Sequence, residues 1–103
     1  RLRPIVGRVV VIARGQTIVP AFGDIELAIA GRRMSSPIGA NGEFYIDDLG
    51  AGWQRIVVRY DGVRYACGFE VPNQPRVPGE AIDVGMVTCR EEALRAGIGG
   101  DPP

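Results

Sequence analysis

Gln54-Arg55-Ile56-Val57-Val58-Arg59-Tyr60-Asp61-Gly62-Val63-Arg64-Tyr65-Ala66-Cys67-Gly68-Phe69-Glu70-Val71 reads as two strands and the turn that joins them. Asp61-Gly62 is a dipeptide that accepts positive φ, so it makes a two-residue hairpin loop and sets Tyr60 opposite Val63. Side chains alternate across a strand, so Val63, Tyr65, Cys67, Phe69 and Val71 share one face while Arg64, Ala66, Gly68 and Glu70 share the other. On the first arm Ile56, Val58 and Tyr60 lie opposite Arg55, Val57 and Arg59. The aromatic and β-branched set is the buried face, and the Arg-bearing set is the wet one.

The same period of two recurs on both sides of this hairpin. Further strands are predicted over Gly7 to Ala13, Asp24 to Ala30, Glu43 to Asp47 and Ala81 to Cys89, with a short strand or arm around Met34 to Ile38. Asn41-Gly42 marks a second tight turn. The pattern is all-β: six to seven short strands in a small antiparallel β-sandwich, whose two inner faces pack about 10 Å apart. The expected core is Val9, Val11, Ile25, Leu27, Ile29, Phe44, Ile46, Leu49, Ile56, Val58, Tyr60, Tyr65, Phe69, Ile82, Val84 and Met86.

With 103 residues the chain supports one hydrophobic core, so residues 1–90 are expected to form one domain. From residue 91 the character changes. Glu91 to Ala96 offers at most one helical turn and Gly97 to Pro103 is small and polar, which predicts a frayed or disordered tail over 91–103. Apolar runs are short and broken by Gly, Pro, Asp and Asn, whereas a spanning helix needs about twenty in succession, so this segment is not expected to insert into a membrane. A start at Arg1 without a signal-peptide pattern reads as a piece of a longer chain.

Twelve basic groups balance twelve acidic ones, all the basic ones are Arg, and no stretch concentrates one sign. A nucleic-acid partner is not expected, because phosphates call for a basic footprint. The chain has no His. Ser-His, Cys-His and His-metal arrangements are therefore excluded, and acid-base work near neutral pH loses its usual carrier. Two Cys do not complete a four-ligand zinc site. Asp47-Asp48 is an adjacent carboxylate pair in a turn, short of the six or more oxygens that calcium takes. Gly39-Ala40-Asn41-Gly42 precedes a strand and so lacks the helix N-terminus of a phosphate cradle. The expectation is a non-enzyme with no cofactor and no metal.

Cys67 points inward in mid-strand and Cys89 closes the last strand. If the two strands are neighbours, a disulfide pins the C-terminal strand into the sandwich, closing a loop of roughly 23 residues for about 3 kcal/mol. That state implies an oxidising compartment. The alternative is a pair of reduced, buried thiols acting as small hydrophobes. Outside the core, Trp53, Arg55, Val57, Arg59 and Arg64 gather on the wet side of the hairpin as an Arg-rimmed surface with an apolar middle. Trp and Arg are residue types that carry interface energy, and this is the expected protein-binding face.

Pro20-Ala21-Phe22-Gly23, then Gly39-Ala40-Asn41-Gly42-Glu43-Phe44-Tyr45, Leu49 and Gly52, Cys67-Gly68-Phe69 with Pro72, and finally Gly85 with Cys89 resemble the last periplasmic domain of fimbrial outer-membrane ushers. The resemblance spans Pro4 to Arg90. It implies a transthyretin-like or immunoglobulin-like sandwich on the periplasmic side of the outer membrane, beside the usher's barrel and plug. It also implies periplasmic chaperone–pilus subunit complexes as partners during pilus biogenesis by the chaperone-usher pathway. Gly42 to Gly52 is similar as well to transthyretin-like or carboxypeptidase-regulatory-like modules of exported proteins, the alternative expectation.

Overall fold

Four tight turns, each with a glycine at positive φ, set the architecture. In the computed structural model, which describes residues 4–47, 49–73 and 79–92, Arg14-Gly15, Ala30-Gly31 and Asp61-Gly62 all take positive φ at both positions. This is the loop geometry whose twist matches paired strands. They join β1 (Ile5–Ala13) to β2 (Gln16–Ile18), β3 (Asp24–Ile29) to β4 (Arg32–Pro37), and β6 (Gly52–Tyr60) to β7 (Val63–Val71). The fourth, around Gly42, leads into β5 (Glu43–Ile46), and β8 (Ile82–Glu91) is the last strand. The described residues contain these eight strands and no helix.

The hairpin read from the sequence is present along its whole length, from Gly52 opposite Val71 to Tyr60 opposite Val63. The strand order is β2-β1-β8-β7-β6-β3-β4, with β5 also on β1. β1 carries β5 along Ile5 to Arg8 and β2 along Val11 to Ala13, and β8 lies on its other side. Where β7 meets β8 only Tyr65–Glu91 and Ala66–Arg90 pair. There the sheet turns a corner, so that β5, β2, β1 and β8 fold over β7, β6, β3 and β4 as a small β-sandwich. Phe44 of one half meets Phe69 of the other with ring centroids 5.8 Å apart, at the offset tilt aromatic pairs favour.

Pairing is mixed where antiparallel pairing throughout was expected: β1 and β8 run parallel. Alternation alone carries no strand direction. The parallel ladder also holds a bulge, because Val6 faces Asp83 and Arg8 faces Met86, leaving Val84 and Gly85 opposite Gly7 alone. Gly85 takes φ 80° and donates its N–H to Asp83 Oδ1 at 2.8 Å. The bulge lies close against β1, since a Cβ on Gly7 would stand 2.8 Å from the Gly85 carbonyl oxygen. One extra residue inverts the alternation beyond it.

Met86, expected in the core, is therefore 59% exposed, and Val87 and Cys89 point inward instead. Ile5 and Ile38 also join the core and Val71 is buried as its face of β7 predicts, while Ile29, Tyr60 and Val84 pack at the margin; the other expected core residues are buried. Asn41-Gly42 does not close a two-residue hairpin. Gly42 takes positive φ and Asn41 does not; Gly42 N–H donates to Gly39 O and Gly39 N–H to Glu43 O. Glu91, expected in the tail, is the last residue of β8, and Glu92 N–H donates to Arg64 O at 2.9 Å. Residues 93–103, and with them the helical turn considered there, lie outside the described residues.

Candidate functional site

Cys67 and Cys89 form a disulfide across the β7–β8 corner, with Cα atoms 4.5 Å apart. The bridge continues the ladder by one step beyond Ala66–Arg90, at the close spacing of a non-hydrogen-bonded antiparallel pair. It lies where the two halves splay and fixes β8 to the hairpin whose outer side is the candidate binding face.

That face is built by alternation on β6. Trp53, Arg55 and Arg59 are exposed and Val57 is half-buried, as expected of the wet side, and exposed Arg64 joins them from β7. Trp53 is 65% exposed. Its indole rests on Gly68, where a Cβ would collide with the ring. The register pairs Trp53 with Glu70, Arg55 with Gly68, Val57 with Ala66 and Arg59 with Arg64. A shallow groove of about 450 Å³ runs along this surface, lined by Trp53, Arg55, Val57 and Arg64 together with Glu26, Ala28 and Arg33.

The sequence reading missed Glu26 and its effect on the rim. From β3 it takes Arg59 Nη1 on one carboxylate oxygen at 3.1 Å and Arg64 Nη1 on the other at 3.4 Å, while Arg64 Nε also donates to Glu92 at 2.8 Å. Glu92 first and Glu26 second hold the Arg64 guanidinium more firmly charged than usual. Such half-exposed pairs contribute little to stability, but they orient side chains and neutralise them. Arg59 and Arg64 are thus spoken for, and Arg59 lines a different cavity at the end of the hairpin. Among the described residues no ion pair engages Arg55 or Arg33. The presented chemistry is an indole, an apolar floor and those two guanidinium groups. Glu26 and Arg33 come from strands distant in sequence, so only the β3–β6 register, Glu26 opposite Val57, could reveal them.

The opposite outer face offers another groove, of about 580 Å³, between Val6, Arg8, Pro37, Tyr45 and Met86. The Asp47 carboxylate holds the Tyr45 phenol above its ordinary value by accepting its proton in a hydrogen bond. Asp47 is exposed, and its sequence neighbour Asp48, considered with it for calcium, lies outside the described residues. Among the described residues no group of three acidic, Cys or His side chains converges as a metal would require. No known protein family and no curated protein matches the chain in sequence.

Proposed function

We propose that the chain is a non-catalytic binding and assembly domain of an outer-membrane usher, one that holds periplasmic chaperone–subunit complexes during pilus biogenesis. The observation that carries the binding reading is the Trp53 groove. An exposed indole beside Val57 and two unengaged guanidinium groups gives the free domain little stability, whereas the same groups are those that anchor protein interfaces. The usher assignment draws on the spacing of Pro20-Ala21-Phe22-Gly23, Gly39 to Tyr45, Cys67 and Cys89, and a disulfide-pinned β-sandwich suits the oxidising periplasm.

The test is a binding titration of the domain against a purified chaperone–subunit complex. Trp53→Ala and Arg55→Glu should each weaken binding at least tenfold, about 1.4 kcal/mol, with the melting temperature unchanged. Arg59→Glu is the poorer probe, because it sets two carboxylates together at Glu26 and disturbs the fold as well. Unaltered affinity for Trp53→Ala, Arg55→Glu and Val57→Asp would remove the partner from this face. Absence of binding by the wild-type domain would favour the regulatory-like module instead.

A further inference from the structure

The turn between β2 and β3 spends stability twice at one residue. Phe22 takes φ 65°, a left-handed conformation that strains a bulky side chain, and it is the most exposed large apolar residue among those described, at 78%. Neither feature helps the isolated domain fold: glycine would sit there without strain, and a solvated ring gains nothing from burial. The conformation is nonetheless imposed firmly. Phe22 N–H donates to Ile38 O, Ile38 N–H to Gly23 O, Gly23 N–H to Pro20 O and Ala21 N–H to Val19 O, at 2.8 to 3.1 Å. Pro20 and Ile38 are fully buried beneath it. Gly23 seats the turn against the β6–β7 hairpin, for a Cβ there would lie 2.6 Å from Arg59 O.

A strained, exposed aromatic on a rigid pedestal is a presented group, since strain persists only where the surroundings over-determine it and concentrates where function uses it. Around it a cavity of about 590 Å³ is bordered by Asp24, Tyr60, Asp61 and Arg59, whose guanidinium is already paired with Glu26. Asp24 and Asp61 are exposed, and among the described residues no ion pair engages either. We infer that Phe22 is an interface anchor that inserts into an apolar pocket of a partner protein, a pocket rimmed by Arg or Lys that face Asp24 and Asp61. The two carboxylates argue against an anionic membrane surface. The identity of the partner as the chaperone–subunit complex rests on the usher reading, and Phe22 adds a contact at the hairpin end of the domain, away from the Trp53 groove.

The experiment measures folding and binding on the same variants of the domain. Phe22→Gly and Phe22→Asn, both comfortable in a left-handed backbone, should leave the melting temperature unchanged or raised. They should weaken binding to the purified chaperone–subunit complex at least tenfold. Asp24→Asn with Asp61→Asn should weaken it severalfold at low salt and less at high salt, as screened charges do. A melting temperature lowered by about 5 °C or more in both Phe22 variants would make the ring a structural group and overturn the inference without reference to any partner. Wild-type binding that survives both substitutions overturns the anchor alone. No binding by the wild type overturns the usher reading and, with it, this partner. Adsorption of the wild type to vesicles of anionic phospholipid, or a concentration-dependent dimer lost in Phe22→Gly, would replace the pocket by a membrane or a second copy and likewise overturn it.

Discussion

The two halves of the sandwich meet along two seams that are closed by different means. At the β7–β8 corner, two ladder pairs are followed at once by the Cys67–Cys89 bridge. On the other side β4 runs beside β5 without a ladder among the described residues, and Ser36 Oγ reaches across to donate to Tyr45 O at 2.9 Å. Chain connectivity accounts for the contrast. β4 passes into β5 through residues 38–42, a short turn tied by its own backbone bonds, whereas β7 reaches β8 only through residues 72–81. A long connection leaves more freedom for the unfolded chain, and a cross-link removes freedom where there is most to remove. The lesson is that a small sandwich needs a covalent clasp at the seam its own loops leave open, and only a hydrogen bond at the other.

The sharpest way to break the contrast is to remove what lies between the seams. Phe69 is buried against Phe44 of the opposite half. Phe69→Ala should cost roughly 3 to 5 kcal/mol in a denaturant titration, as the loss of a buried aromatic does. A cost below about 1 kcal/mol, in the range of surface changes, would mean that the seams and not the shared core hold the halves together.

The seams themselves should differ in weight. Reduction of the disulfide should destabilise the domain by about 3 kcal/mol, read as a lowered melting temperature with a mass gain of two hydrogens. Ser36→Ala should cost about 1 kcal/mol or less, the net worth of one hydrogen bond near the surface. Equal losses would show that the β4–β5 side carries more than its single bond. Amide exchange can sharpen the point: β4 should open before the β7–β8 corner, whose amides should approach it only on reduction.

The smallest effects are in pH, and the two seams should respond at opposite extremes. Tyr65, at the corner, has its phenol pushed above the ordinary value by burial, with Glu91 and Asp61 adding to it. A raised folded value means that its contribution is whole below about pH 10 and is lost as pH rises through the folded value. Glu43, at the other seam, has its carboxyl held below the usual range by hydrogen bonds from its own N–H and from Asn41 N–H, the latter at 2.7 Å. Its contribution is present above the unfolded value and is lost as pH falls through the folded one. Tyr65→Phe should flatten the alkaline limb of stability against pH, and Glu43→Gln the acid limb. A limb that keeps its slope in the matching variant would assign it to other groups.

Local pattern was enough for the all-β class, the β6–β7 hairpin with its register, the buried side of both its strands and the exposed Trp53 to Arg59 row. Each follows from the period of two and from a dipeptide that determines its own turn, so no distant residue needs to be known. The hairpins at Arg14-Gly15 and Ala30-Gly31 were less legible because Arg and Ala announce no turn, and the strand β2 passed unseen with the first of them. Tertiary structure alone decided the rest. The bulge at Gly85 exists because β8 must follow β1 past Gly7 and still deliver Cys89 to Cys67, and it exchanges Met86 for Val87 in the core. Glu26 claims Arg59 and Arg64 because β3 lies against β6, and the Pro20 to Gly23 turn lifts Phe22 into solvent because Ile38 and the β6–β7 hairpin brace it from below. Those are contacts between segments far apart in the chain, and sequence periodicity holds no information about which strand a strand will have for its neighbour.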